Sequence, residues 1–309
     1  MQTPQSREDG VKGGETMRIG TVIEPKRIAR AFLSAGGEPS FADEARRLID
    51  AGANHIEISG EAVAVLPGGL RDKFRGEAAG GLRELHEQDG VTFSVHLPFM
   101  GGVNFTTSID SIRQASVEVL RDITDQCSPL EPVSYVFHVS GLLEDLMSVG
   151  LRDDQVVEAY LDYAAESLGR IVEFIPAGKL CIENLEYIGF EKLFPLVKKF
   201  GTRVCMDVGH IRLRKEDIGE FVKTYGPYLG HVHMHDVTYK LFDKRVTVMD
   251  DHQGLGTGII DVEAVIQMLR AAGFDGPVVL EVHSVDPIHS VRILKAAIEK
   301  PRAASAAVD

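Results

Sequence analysis

The chain has 309 residues, 44% of them hydrophobic and 26% charged, which is enough apolar material to bury a large core. With 33 Lys and Arg against 46 Asp and Glu, its formal net charge is −13, which disfavours duplex DNA as a partner because phosphate-backbone binding needs clustered cations. No stretch approaches the roughly 18 uncharged apolar residues of a membrane span, and the start, MQTPQSREDGVKGG, has no apolar signal core.

From Met17 onward, short apolar runs alternate with segments of helical spacing. MRIGTVI from 17 is the first run. Ser40 then opens a helix, because Ser40 and Asp43 have capping-box spacing, and Gly52 stops it. NHIEIS from 54 and VTFSVHL from 91 follow, and 110–127 reads as a long helix. VSYVFHV from 133 precedes a second long helix over 154–175. KLCIEN from 179, RVCMDVG from 203 and GHVHMHD from 230 come next. The stretch from about Asp236 to Gly258 reads as a long loop without structure of its own, a kind that is usually functional. Asp261 is expected to cap a helix over 262–272, with Val265, Ile266 and Leu269 on one face and Gly273 at its end. PVVLEVH from 277 is the eighth run.

Eight Val- and Ile-rich runs with helices between them point to an α/β fold, a (β/α)8 TIM barrel, in preference to a doubly wound open sheet. With no linker and no composition break, residues 17–299 read as a single catalytic domain, flanked by tails at 1–16 and 300–309. Cys127, Cys181 and Cys205 are an odd count without CxxC spacing, so the expectation is free thiols and a reducing cytoplasm, with Cys181 and Cys205 in the core.

In such a barrel the site forms where the strands end. The third run ends in His96 and the fourth near His138. The fifth ends in Glu183 and Asn184, and the sixth in Asp207, with His210 three residues on. The seventh holds His231, His233 and His235, and the eighth ends in Glu281. The long loop adds Asp250 and His252 just before GLGTG. A single histidine is more often a packed residue than a ligand, but six consecutive strands delivering imidazole or carboxylate to one rim form a donor set for Zn²⁺, Mn²⁺ or a similar ion. His55, His86, His283 and His289 lie elsewhere and read as structural. The alternation of His231, His233 and His235 turns all three toward the barrel axis and leaves open which of them ligates.

The segments VHLPF, FHVSG, IEN, MDVGH, HMHD, DDHQGLGTG and VVLEVH resemble the xylose-isomerase-like TIM-barrel superfamily, which includes endonuclease IV. That enzyme holds three zinc ions with nine residues, and each has a counterpart here. By this resemblance His96, His138 and Glu183 hold one ion. Glu183, Asp207, His233 and Glu281 hold a second, and His210, Asp250 and His252 a third. His235 is then a second ligand or a substrate contact. The resemblance implies two or three divalent ions per chain, Zn²⁺ first, with Mn²⁺, Fe²⁺ or Co²⁺ as alternatives. Glu281 and Glu183 would be the catalytic carboxylates.

Two activities fit this set. The first is a metal-dependent phosphodiesterase acting on a small or medium phosphodiester, since several ions can activate water and neutralise phosphoryl oxygens. SPLEPVSYVFHV, IENLEY and RVCMDVGHI are also similar to the cobamide-remodelling phosphodiesterases, which makes a cobamide nucleotide loop the named substrate. Arg212 and Lys240 are the substrate-binding cations this reading selects from three basic rim groups: Lys26, Arg27 and Arg30; Arg212, Arg214 and Lys215; and Lys240, Lys244 and Arg245. The alternative is a sugar or sugar-phosphate isomerase or epimerase. The superfamily's examples use one ion on the residues matching Glu183, Asp207, His233 and Glu281, with the two glutamates shuttling a proton. The Arg that such epimerases carry soon after the seventh-strand His has no counterpart here before Lys240.

Overall fold

Each apolar run becomes a strand because Val, Ile and Phe suit a pleated backbone buried on both faces. The chain runs β1 (Arg18–Val22), α1 (Phe41–Asp50), β2 (His55–Ser59), α2 (Gly60–Val65), α3 (Gly68–Ala79), α4 (Gly81–Asp89) and β3 (Thr92–His96). It continues through α5 (Asp110–Cys127), β4 (Ser134–Phe137), α6 (Leu142–Ser148), α7 (Asp154–Ile171), β5 (Leu180–Glu183) and α8 (Phe190–Phe200). Then come β6 (Arg203–Asp207), α9 (Val208–Leu213), α10 (Ile218–Tyr225), β7 (Leu229–Met234), β8 (Asp236–Phe242) and β9 (Arg245–Gln253). The last elements are α11 (Val262–Ala271), β10 (Pro277–Leu280) and α12 (Ile288–Glu299). This computed structural model describes residues 17–23, 28, 40–65, 68–100, 102–151, 153–242, 245–283 and 285–301, without the side chains of 65, 68–70 and 240–249. The expected tail at 1–16, most of the one at 300–309, and Lys26, Arg27 and Arg30 lie outside the described residues.

Eight parallel strands close into a barrel in the order β1–β10–β7–β6–β5–β4–β3–β2, the (β/α)8 architecture expected. The expected helix boundaries hold where caps are strong. The Ser40 side chain accepts from Asp43 N–H, and Asp261 accepts from Ala264 N–H. Glu77 of α3 reaches across to bond Ser40 Oγ and Ala42 N–H, so the end of α1 is tied to its neighbour. The helix expected over 154–175 stops at Ile171, four residues early. Pro176 disfavours helical geometry at the residue before it, which shortens the run.

The segment expected to be an unstructured loop is instead an antiparallel hairpin, β8 with β9. Its two halves, DVTYKLF and RVTVMDD, carry the β-branched and aromatic residues of strands. One side chain anchors it. Asp236, fully buried, accepts from Val237 N–H and Ile260 N–H on Oδ1, and from Gly256 N–H and Gly258 N–H on Oδ2. Gly258 is required there, since a Cβ would come within 2.1 Å of the Val237 carbonyl.

The outer layer, between strands and helices, is apolar, with Phe41, Phe74, Phe93, Phe105 and Phe137 fully buried. Cys127, Cys181 and Cys205 are free and buried, and the latter two pack with Val136, as expected of small core residues. Asp236→Ala strips four backbone N–H groups of their acceptor, and at ~1 kcal/mol for each orphan it should destabilise the protein by about 4 kcal/mol. Calorimetry should show the melting temperature falling by roughly 6 °C.

Candidate active site

Two histidines of β7, His231 and His233, alternate with His235 just past its end, and the barrel places the three at different depths. All three are fully buried. His231, the deepest, has its Nδ1 2.9 Å from Ser134 Oγ and its Nε2 3.2 Å from Glu57 Oε2. His233, the middle one, has its Nε2 3.0 Å from Glu57 Oε1, and its Nδ1 faces Glu183 Oε1 at 3.3 Å and Glu281 Oε2 at 3.4 Å. His235, at the rim, meets Asp207 Oδ1 through Nε2 at 3.1 Å. The strand ambiguity is therefore resolved by depth: only His233 faces the central carboxylates with one nitrogen free of hydrogen bonds.

Glu57, on β2, is a site residue that sequence reasoning missed. It sits in a strand buried on both faces, where no alternation marks one side as polar. A glutamate in a short strand rich in Ile is the only signal it leaves. His55, read as structural, is fully buried and bridges Thr92 Oγ1 and Ser94 Oγ at the foot of the barrel. Burial holds the imidazoles of His55 and His231 below their ordinary pKa, so both are neutral at pH 7.

At the rim, ligand atoms of Glu183, Asp207, His233 and Glu281 all lie within 4.8 Å of one another. Three of them, Glu183 Oε1, Asp207 Oδ2 and His233 Nδ1, are buried without any hydrogen-bond partner. A buried orphan costs roughly 1–3 kcal/mol, and more when charged, so three aimed at one point form a cluster that a cation would satisfy. Carboxylate oxygens with one imidazole nitrogen suit a divalent ion, so these residues fit the group that the superfamily implies. Burial pushes the Glu183 carboxyl up, but the imidazoles of His233 and His138 outweigh it and hold the group well below the carboxylate range. Glu281 is held down likewise by His233 and His252.

The neighbouring positions form two further clusters. His96, His138 and Glu183 converge as the resemblance implied, with His138 Nε2 2.9 Å from Glu183 Oε2. Burial pulls the His96 imidazole down, yet Glu183, Glu281 and Glu61 raise it to about 9. The other cluster is His210, His235 and His252; of the expected His210, Asp250 and His252 set, the structure brings together the two histidines and not Asp250. Asp250 lies opposite Thr238 in the hairpin, whereas Asp251 faces the cavity and pairs with His252 at 3.3 Å. His252 has φ of 50°, which breaks strand alternation and turns both Asp251 and His252 inward. His235 accepts the His252 N–H on Nδ1 and meets Asp207 with Nε2, so both its nitrogens are engaged and it props Asp207. His210 presents Nε2, because its Nδ1 bonds the Asn184 carbonyl. Asn184 in turn exchanges two hydrogen bonds with the Asp207 backbone. His283, read as structural, stacks on His252 at 4.4 Å and lines the cavity.

Above the cluster opens a cavity of about 400 Å³, the size of a small-molecule site. Phe99, stacked on His138, forms one wall with Met100, and Leu185 and Tyr187 form another. The acidic side chains are Glu61, Glu144, Glu186, Asp251 and Glu281, and no described Lys or Arg lines it. Arg212, expected to meet substrate, turns away: α9 ends one residue later, and its guanidinium donates to the Glu216 carbonyl that follows this end. Arg214 pairs with Glu216. The side chains of Lys240, Lys244 and Arg245 lie outside the described set.

The model of the xylose isomerase-like TIM-barrel family matches residues 45–304. An uncharacterised protein of Methanocaldococcus jannaschii is 27% identical over 232 residues, 71% of this chain and 74% of that one. Among solved structures, a D-tagatose 3-epimerase-like protein superposes with a TM-score of 0.67 at 22% identity, covering 92% of this chain and 97% of its own. An L-ribulose 3-epimerase does so with 0.64 at 17%, covering 91% and 93%. The 3-keto-D-glucoside 4-epimerase of E. coli gives 0.64 at 15%, covering 91% and 98%. These likenesses are of fold. Since the family model spans most of the sequence, the chain belongs to the xylose isomerase-like TIM-barrel family.

Proposed function

We propose that this protein is a divalent-metal-dependent epimerase or isomerase of a sugar without a phosphate group, moving a proton at the carbon beside a carbonyl. The observation that carries the proposal is the pair Glu183 and Glu281, brought together with Asp207 and His233 beneath an acidic cavity whose described lining lacks Lys and Arg. A phosphodiester would bring its negative charge among Glu61, Glu144, Glu186 and Asp251, each unfavourable to it. A neutral polyol meets no such penalty, and its C–H faces can pack on Phe99, Leu185 and Tyr187. The two epimerases and the epimerase-like protein to which the fold is similar are in keeping with this reading.

A bound ion would supply Lewis acidity, polarising the substrate carbonyl. The chain supplies the proton handling. Glu281 borders the cavity, and Glu183, fully buried next to it, is held by His138. Both carboxyls are kept ionised, which is the state a base needs. For epimerisation one carboxylate would take the proton from one face of the carbon, and the other, having first taken up a proton from solvent, would give it to the opposite face. His252 and His96 flank Glu281 at 3.7 and 3.8 Å and restrict where it points. The apolar walls keep water away from the reacting carbon.

The second reading, phosphodiester hydrolysis with a cobamide nucleotide loop as substrate, is favoured by the two further clusters, which could hold more ions and offset the acidic lining. Two measurements separate the readings. In deuterated water, protein loaded with Mn²⁺ or Co²⁺ should place deuterium beside the carbonyl of a ketohexose, detected by NMR. Glu183→Gln and Glu281→Gln should each lower that exchange by about 10²–10⁴-fold, the usual worth of a positioned base. Release of an alcohol from small phosphodiesters, with no exchange into any ketose, would transfer the assignment to the hydrolase.

The metal prediction is separate. Calorimetric titration with Mn²⁺ or Zn²⁺ should find at least one tight ion, lost in Asp207→Asn and retained in His252→Ala. His138→Ala is a weaker discriminator, because His138 bonds Glu183 directly.

A further inference from the structure

We infer that Glu57 is a positioning residue for the metal: its carboxylate, closed inside the barrel, fixes His233 in the one tautomer that aims Nδ1 at the ion site. The inference rests on the proposed ion site, not on the reaction catalysed there.

Each hydrogen bond around Glu57 runs in one direction. Ser94 Oγ donates to Glu57 Oε2 at 2.8 Å. Having given its proton to Glu57, Ser94 can only accept from His55 Nε2 at 2.9 Å. His55 is neutral, so its Nδ1 is then the acceptor, and Thr92 Oγ1 donates to it at 2.8 Å. The chain Thr92, His55, Ser94 is thus polarised toward Glu57. Among the described residues nothing offers Glu57 a cationic partner except the β7 histidines. His231 Nε2 lies 3.2 Å and His233 Nε2 3.0 Å from the Glu57 carboxylate.

His233 Nε2 is 3.0 Å from Glu57 Oε1, and a carboxylate can only accept. Nε2 must therefore carry the proton. The lone pair of the neutral ring then belongs to Nδ1, which faces Glu183 and Glu281 and has no hydrogen-bond partner. A carboxylate behind a ligating imidazole orients the ring and raises its basicity, and losing such a partner typically costs 10–100-fold in metal affinity. Glu57 also answers a depth problem. It lies one residue pair below the rim, paired in register with Ser94 and Val22, where the ion site cannot reach it.

The test uses the full chain loaded with Co²⁺, whose visible spectrum reports ligand geometry. Glu57→Gln keeps the shape but removes the charge, and it should weaken Co²⁺ binding about 10–100-fold in a chelator competition and shift the spectrum. Ser94→Ala removes a bond to Glu57 but leaves the carboxylate, and should bind Co²⁺ within a few-fold of the unmodified protein with an unchanged spectrum. Circular dichroism and melting curves show whether each variant folds. Should Glu57→Gln fail to fold, ¹⁵N-histidine NMR of the unmodified protein with Zn²⁺ decides: His233 must show a proton on Nε2 and metal on Nδ1. A folded Glu57→Gln with unchanged affinity and spectrum, or a His233 with its proton on Nδ1, overturns the inference. Sugar turnover plays no part in these readouts, so failure of the proposed reaction would leave them interpretable.

Discussion

Four carboxylates inside one barrel form the constraint on which the rest of the structure depends. Glu57, Glu183 and Asp207 are fully buried and Glu281 nearly so. An isolated buried carboxylate is costly, so each must find cationic or hydrogen-bonding partners within its own radius. The barrel meets this by filling the axis with imidazole. His231 and His233 flank Glu57, His138 and His233 hold Glu183, His235 holds Asp207, and His252 and His233 hold Glu281. Barrel interiors are commonly packed with Val, Ile and Leu. Here the lower layer is a hydrogen-bonded polar plug, and the upper layer is left three partners short at one point. That imbalance is what makes the rim a site and the foot a support.

The same constraint explains the elements that close the mouth. Asp207 both ends β6 and caps α9 through the His210 N–H, so one of its oxygens is engaged and the other is left toward the cluster. Gly209 stands where any Cβ would strike the His235 ring, at 1.9 Å, so the turn after β6 and the end of β7 depend on each other. The hairpin folds back under the control of Asp236, and its last residue pair brings His252 between the rings of His235 and His283, at 4.3 and 4.4 Å. Strain at His252, with its left-handed backbone, is the local cost of turning Asp251 and His252 to the same side.

Charge then narrows the chemistry. The cavity is walled by aromatic and aliphatic side chains and rimmed by carboxylates, an environment suited to a neutral ligand with C–H faces and hydroxyl edges. Carboxylates held ionised by histidine are suited to taking protons from carbon acids once a carbonyl is polarised. The net charge of −13 extends the same preference to the whole surface, against polyanions.

The eight strands and the polar residues at their ends were legible in the sequence. Both follow from local rules: strand runs need Val and Ile, and residues that end a parallel strand share one end of the barrel. His96, His138, Glu183, Asp207, His233 and Glu281 could be read from their position in each run. The hairpin left its mark only in the β-branched residues of its two halves, on either side of residues 243–244. What one strand cannot state is depth. His231, His233 and His235 are equivalent in a period of two, and they separate only because β7 is staggered against β6 and β10 in a closed sheet. Glu57 is silent for the same reason, since its partners stand 37 and 176 residues away. The lining of the cavity by Asp251 in place of Asp250 and the turning away of Arg212 are set by a backbone angle and a carbonyl just past the end of a short helix. Sequence determined which groups reach the barrel axis; barrel closure decided which of them meet, because register between distant strands is a property of the closed sheet and not of any segment in it.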